Sequence, residues 1–181
     1  MPSFAQESVI ETDTPIGTDI KATPSAITIS RVNYELPYPG MLPDHPLYFL
    51  KVIRDGIVKR LINDEMTMAK FSLKNAEKRV YAGKMLVEKG EEKLGVVTIS
   101  KSNNYLEDAL TAIENVKRQT PKNPDTKLFL QQFRTATLKN LEVVSDLTTT
   151  VSEQYQKQFL VEEKRIASIS KRVERQLSEK K

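Results

Sequence analysis

Few side chains in this 181-residue sequence could carry out catalysis or bind a metal. The chain has one His, no Cys and no Trp, which excludes disulfides, thiolate zinc sites and cysteine nucleophiles. His45 is the one side chain whose ordinary pKa lies near neutrality, but no second His or Ser-His-Asp spacing accompanies it. Because His45 lies between Asp44 and Pro46, we expect it to cap a helix or to be exposed.

Acidic residues occur in adjacent pairs, at Glu91-Glu92, Glu107-Asp108 and Glu162-Glu163. Neighbouring side chains on a helix point roughly 100° apart, so neither member of such a pair can help the other hold an ion. The six glycines are scattered singly and form no phosphate-binding loop. We therefore predict that the protein is not an enzyme and has no catalytic residue, metal, cofactor or small-molecule substrate.

The C-terminal 25 residues, 157 to 181, are basic, with eight Lys or Arg against four Glu. A basic amphipathic helix can contact anionic lipid or phosphate. The ordinary alternative is a charged outer face on a helix whose Ile166, Ile169 and Val173 pack inward. Five basic side chains are the candidate contact residues of this segment: Lys164, Arg165, Lys171, Arg172 and Arg175.

Proline content and charge change together near residue 43. Seven of the nine prolines lie within the first 46 residues, and residues 1–43 carry two basic against five acidic side chains. We predict an extended or disordered linker over 1–43 and a helical domain over 44–181. Ser3 and Ala5 match the end of a secretory signal peptide that would lie upstream, and the alternative is that Met1 is the true start.

Apolar residues spaced three and four apart predict helices after residue 46, where residues 47–120 contain no Pro and residues 125–181 contain neither Pro nor Gly. The predicted helices cover about 46–62, 65–89, a third segment that ends at Thr120, and a fourth from about 125. Thr148, Thr149 and Thr150 predict a bend or break, because β-branched hydroxyl residues lower helix propensity. The fold class is therefore an all-α antiparallel bundle of four to five helices, with a long, bent C-terminal helix. Residues 151–181 either fold back or project.

Helix-helix contacts are also indicated by spacing. Ala69, Ala76 and Gly83 recur every seven residues and would allow a neighbouring helix to approach closely. Gly90 lies where a left-handed residue commonly ends a helix. The same regular spacing also suits self-association through a coiled coil.

Two segments resemble a known family. Residues 42–51 (LPDHPLYFLK) and 71–79 (FSLKNAEKR) are similar to the bacterial domain of unknown function numbered 5667, over about residues 40–150. Members commonly follow a signal peptide or a membrane segment, so the resemblance implies export and transfers no catalytic residue. In the first segment, Leu47, Tyr48 and Leu50 could anchor the first helix to the bundle. Tyr48 and Phe49 could equally form a docking surface.

Together these features predict a non-enzymatic, exported helical bundle that acts as a binding or structural module at the bacterial cell envelope. Its partner would be a protein or a second copy that meets an exposed helix face, above all the helix after Thr150. The alternative is an electrostatic binder of anionic lipid, cell-wall polymer or nucleic acid through the basic C-terminal helix. The expected location is extracytoplasmic, or cytoplasmic if Met1 is the true start.

Overall fold

The computed structural model describes residues 31 to 178, which form five α-helices and no strand. The helices are α1 (Tyr48–Leu61), α2 (Glu65–Glu88), α3 (Glu92–Gln119), α4 (Asp125–Thr150) and α5 (Glu153–Ser178). The prediction of an all-α helical bundle is confirmed. The predictions for residues 1–30, including the one from the Ser3 and Ala5 pattern, lie outside the described residues.

Local sequence signals set the ends of α2 to α4. The Asp64 carboxylate accepts a hydrogen bond of 2.6 Å from the Thr67 N–H and so caps α2. Gly90 follows α2 with a φ of 85°, the left-handed conformation that was predicted for it. Residues 120 to 124 separate α3 from α4, because Pro121 and Pro124 cannot continue a helical hydrogen-bond ladder.

The three threonines at the end of α4 produce a complete break. Their hydroxyls donate to carbonyls of the preceding turn, as when Thr148 Oγ1 donates to the Val144 carbonyl at 2.8 Å. Thr149 and Thr150 make the same kind of bond to the Asp146 carbonyl. These bonds compete with continuation of the helix. The C-terminal region is therefore two helices, α4 and α5, joined at residues 151–152.

Four helices form the bundle, in the spatial order α2, α3, α5, α4 around one core. Side chains that pair between α3 and α5 are separated by a nearly constant 58 to 65 residues along both helices, so these two helices run parallel. The consecutive helices α2 and α3, and likewise α4 and α5, pack closely as antiparallel hairpins. Phe159, Ile166 and Val173 of α5 are fully buried, so α5 folds back onto the bundle and does not project.

The helices α2 and α3 approach most closely at a pair of glycines. A Cβ atom built on Gly83 would lie 2.6 Å from Ile99 Cγ1 and 3.3 Å from the Gly95 carbonyl oxygen. A Cβ on Gly95 would lie 2.7 Å from Val87 Cγ2 and 3.2 Å from the Gly83 carbonyl oxygen. Ala76, one heptad before Gly83, is also fully buried. The close approach predicted from small residues every seven positions is thus present.

Two of the three residues expected to anchor α1 to the bundle do not pack against it. Leu47 and Leu50, expected as anchors, are 49% and 53% exposed. The helix begins at Tyr48, two residues later than predicted, and its N-cap residue Leu47 makes no side-chain cap. His45 does act at the helix start, because its Nδ1 accepts a hydrogen bond of 3.1 Å from the Leu47 N–H.

Residues 31–43, which we call the strap, contain no helix or strand and contact the bundle. Tyr34 and Leu36 pack against the core, and Leu42 is buried. The Glu142 carboxylate of α4 accepts a hydrogen bond of 2.7 Å from the Val32 N–H. The bundle therefore engages residues that charge and proline content assigned to the linker.

Candidate functional site

The polar side of α1, not its apolar side, faces the bundle. Asp55 is the one buried residue of α1, and Arg54 donates to its Oδ1 at 2.8 Å. Lys59 Nζ lies 2.5 Å from Asp108 Oδ2 on α3. At the other end of α1, the Tyr48 hydroxyl accepts a hydrogen bond of 2.9 Å from Arg79 on α2. These long-range polar contacts fix the rotation of α1 about its axis.

A second set of contacts ties α1 to the strap. Lys51 Nζ donates to the carbonyl oxygens of Pro39, at 2.7 Å, and Met41, at 3.3 Å. The Lys51 ammonium also lies 5.5 Å from the centre of the Tyr48 ring. Lys51, like Tyr48 and Lys59, is thus used on the polar side of the helix.

As a result, the apolar stripe of α1 points away from the bundle. Within residues 31–178, fourteen large apolar residues are exposed, and eight of them lie between Leu47 and Leu61. At about 100° per residue, seven of the eight fall within half of the helix circumference. We call these seven the outer face of α1. They are 37% to 73% exposed: Leu47, Phe49, Leu50, Ile53, Ile57, Val58 and Leu61.

The charges on the outer face are all positive. Arg54 and Arg60 project within the same half of the helix, near the two edges of the apolar stripe, and both are exposed. Asp55 is the only acidic residue of α1, and it is buried on the opposite side. An apolar surface with basic margins therefore lies on the outside of the molecule.

The two aromatic residues singled out from the sequence are divided between the two sides of α1. Tyr48 is half-buried and contributes its hydroxyl to the contact with Arg79. Phe49 is 55% exposed and belongs to the outer face. Tyr48 thus supports the anchoring role, and Phe49 alone is placed for docking.

The basic residues predicted on α5 are likewise divided. Arg165 donates to Glu107 on α3 at 3.0 Å and to Glu162 at 3.0 Å, and these carboxylates raise its pKa against the opposing effect of burial. Arg172 lies 3.0 Å from Glu114. These two arginines join α5 to α3. The other three, Lys164, Lys171 and Arg175, are exposed and form no ion pair within residues 31–178.

Two carboxylates contact the strap, and their pKa values are shifted in opposite directions. The Tyr34 hydroxyl donates to Glu77 of α2, and burial raises the pKa of that carboxyl. Burial and Glu77 together raise the pKa of Tyr34 to about 12. For Glu142, burial favours the neutral form, but hydrogen bonds from Lys139 and Val32 outweigh it and lower the pKa.

Two open cavities flank the strap, and both have charged side chains in their lining. The larger, about 600 Å³, lies between the strap, α2 and α4, and its lining includes Lys74 and Glu77. The smaller, about 360 Å³, includes Lys139 and Glu142. Within residues 31–178 there is no cluster of three or more Asp, Glu, His or Cys suited to a metal ion. Nor does any helix in this part of the chain have the length and apolar content to cross a bilayer.

The sequence contained a signal for the outer face that its apolar spacing obscured. Arg54 and Arg60 fall within the apolar half of α1, whereas no Lys or Arg is buried anywhere in residues 31–178. A stripe that includes two arginines is therefore unlike the stripes of the bundle helices.

A comparison with protein-family models matches residues 40–176 to the domain of unknown function DUF5667. The match extends through α5, beyond the stretch of about 40–150 that carried the resemblance in the sequence. No curated protein and no solved structure matches the chain.

Proposed function

The chain belongs to the DUF5667 family, and from this premise we propose that it is a non-enzymatic binding module of the cell envelope whose binding face is the outer face of α1. The observation that carries the proposal is the orientation of α1. Its polar residues are used against the bundle, and its apolar residues are left in contact with solvent.

Exposed apolar surface of this kind is costly to maintain. Fully burying a Leu, Ile or Phe side chain is worth about 1.5 to 3 kcal/mol, and the seven residues of the outer face are about half exposed. Rotation of α1 could bury them against α2 and α3, yet the contacts of Lys59 and Tyr48 oppose that rotation. Concentrated apolar surface on a folded domain supports a binding role.

Export is part of the same proposal. It is supported by the Ser3 and Ala5 pattern, which matches the end of a secretory signal peptide. N-terminal sequencing of the native protein from fractionated cells tests it. A mature chain that begins at Gln6 in the envelope fraction supports export, and a cytoplasmic protein that retains Met1 contradicts it.

Site-specific photocrosslinking in the native cells tests the binding face. A photoreactive residue at Ile57, on the outer face, should yield crosslinked products that are absent when it replaces Val161. Val161 is a matched control, because it lies on α5 and is 57% exposed, against 55% for Ile57. Products from position 161 but not from position 57 would contradict the proposal.

The electrostatic alternative on α5 has weaker support. Arg165 and Arg172 already neutralise Glu107 and Glu114 of α3, so three of the five candidate basic residues remain exposed without an ion pair. The apolar stripe of α5 is buried in the bundle. A helix in this state can offer charge to a partner but little apolar contact.

A further inference from the structure

Building on the proposed function, we infer that the outer face of α1 binds the surface of an anionic lipid bilayer. In this arrangement α1 lies in the plane of the headgroups, between the bundle and the lipid. Helices that bind in this way have an apolar face buried about 5 to 10 Å into the boundary of headgroups and acyl chains, with basic residues beside it. The apolar face here includes Phe49, Ile53 and Ile57, with Arg54 and Arg60 beside them.

Charge favours lipid over a second copy of the chain. The outer face carries Arg60, which forms no ion pair within residues 31–178, and Arg54, whose side chain is 67% exposed although it is paired with the buried Asp55. A second copy of this face would add the same two arginines and no exposed acidic residue. Anionic headgroups supply the complementary charge, and each Lys or Arg near such a surface contributes about 1 kcal/mol, which corresponds to roughly a fivefold change in binding.

Size favours lipid as well. A stable protein-protein interface uses about 20 to 30 residues a side. The outer face has seven apolar residues and two arginines, on a helix of 14 residues that is about 21 Å long. A face this small is well below the size of a dimer interface. A bilayer needs no complementary pocket, because lipid chains adapt to a convex helix.

The contacts on the polar side of α1 make this arrangement workable. Lys59 is held by Asp108, and Tyr48 is held by Arg79, so α1 would stay attached to the bundle while its other side enters the lipid. Lys51 likewise fixes α1 to the strap at Pro39. The bundle would then be positioned at the bilayer surface without a spanning helix.

Vesicle flotation tests the inference with the purified chain. Vesicles of phosphatidylglycerol and phosphatidylcholine should bind the wild-type protein, and vesicles of phosphatidylcholine alone should bind it at least about tenfold more weakly. Ile57→Glu should reduce binding to the anionic vesicles by about tenfold or more. Val161→Glu, the matched change on α5, should leave binding unchanged. Arg60→Gln should weaken it by roughly fivefold.

Both Glu variants alter exposed positions, so circular dichroism and thermal unfolding should match the wild type and exclude misfolding as the cause. Failure of the wild-type protein to float with anionic vesicles would overturn the inference. So would full binding by Ile57→Glu, or a loss of binding in a Lys164→Gln, Lys171→Gln variant with the outer face intact. That last result would assign the lipid contact to α5.

The same variants separate this inference from the proposed function. If the wild-type protein does not float, but sedimentation velocity shows dimers and Ile57→Glu abolishes them, the outer face binds a second copy of the chain. The inference of lipid binding is then wrong. If the wild-type protein does not float and position 57 crosslinks another protein in cells, the partner is a protein. In either case the binding face stands. If Ile57→Glu changes neither flotation nor self-association, and a photoreactive residue at position 57 yields no crosslinked product in cells, both proposals fail.

Discussion

A pair of glycine substitutions tests the packing of α2 on α3. Gly83 and Gly56 both lie inside helices, but a Cβ on Gly83 would be 2.6 Å from Ile99 Cγ1, whereas one on Gly56 would have no atom within 4 Å. Replacing a helical Gly with Ala gains about 1 kcal/mol of helix propensity. Overpacking at Gly83 opposes this gain by about 1 to 3 kcal/mol, because both Ile99 and the Gly95 backbone must shift.

The difference between the two variants isolates the steric cost, since the gain in propensity is common to both. Gly56→Ala should therefore be more stable than Gly83→Ala by about 1 to 3 kcal/mol. Urea denaturation followed by circular dichroism measures this as a difference in midpoint of about 1 M. Ile99→Ala should reduce the penalty at position 83 in a double-mutant cycle. Equal stability of Gly83→Ala and Gly56→Ala would refute the close approach of α2 and α3.

Four further predictions concern the strap, the core and the end of α2. Because burial raises the pKa of Glu77, the folded state binds the carboxyl proton more tightly than the unfolded state, and the free energy of unfolding falls as pH rises above 4.5. Glu77→Gln should therefore be more stable than the wild type at pH 7 and lose that advantage near pH 4. Denaturation of both proteins at each pH measures the difference. The lowered pKa of Glu142 gives the opposite sign, so Glu142→Gln should be less stable than the wild type at pH 7 and should match it in acid. Parallel pH trends for the Glu77 and Glu142 variants would contradict this account. Asn140 is fully buried, and neither its side-chain oxygen nor its side-chain nitrogen has a hydrogen-bond partner within residues 31–178. Asn140→Leu should therefore raise the free energy of unfolding by about 1 to 3 kcal/mol. A lower free energy of unfolding would indicate that an internal water binds the amide. Gly90→Ala should lower the free energy of unfolding by about 1 to 2 kcal/mol, because a residue with a Cβ is strained at a φ of 85° even though no neighbouring atom crowds that Cβ. An unchanged midpoint of thermal unfolding would contradict the left-handed cap.

The bundle helices could be predicted because their ends depend on nearby residues. Asp64 caps α2 through Thr67, three residues away, and Pro121 and Pro124 end one helix and precede the next. Ala76 and Gly83 are seven residues apart and therefore lie on the same side of α2, where small side chains allow a neighbouring helix to pack closely. Each of these signals lies within one or two helical turns, where sequence patterns carry most information.

The rotation of α1 and the position of the strap could not be predicted in the same way. Both depend on contacts between distant residues, 49 apart for Lys59 and Asp108 and 43 apart for Tyr34 and Glu77. A periodic pattern shows that α1 has a polar and an apolar side, but not which side meets the bundle. Arg54 and Arg60 in the apolar half are a sequence signal for the outward side, but the contacts that hold α1 in this rotation are visible only in the tertiary structure.

Tryptophan fluorescence tests the central claim that the outer face of α1 enters lipid. The chain has no Trp, so Ile57→Trp and Val161→Trp each place a single fluorophore at a position of matched exposure. With anionic vesicles, the emission of Ile57→Trp should shift to shorter wavelength and be quenched by brominated acyl chains, while that of Val161→Trp stays unchanged. An unshifted, unquenched emission from position 57 would contradict the account.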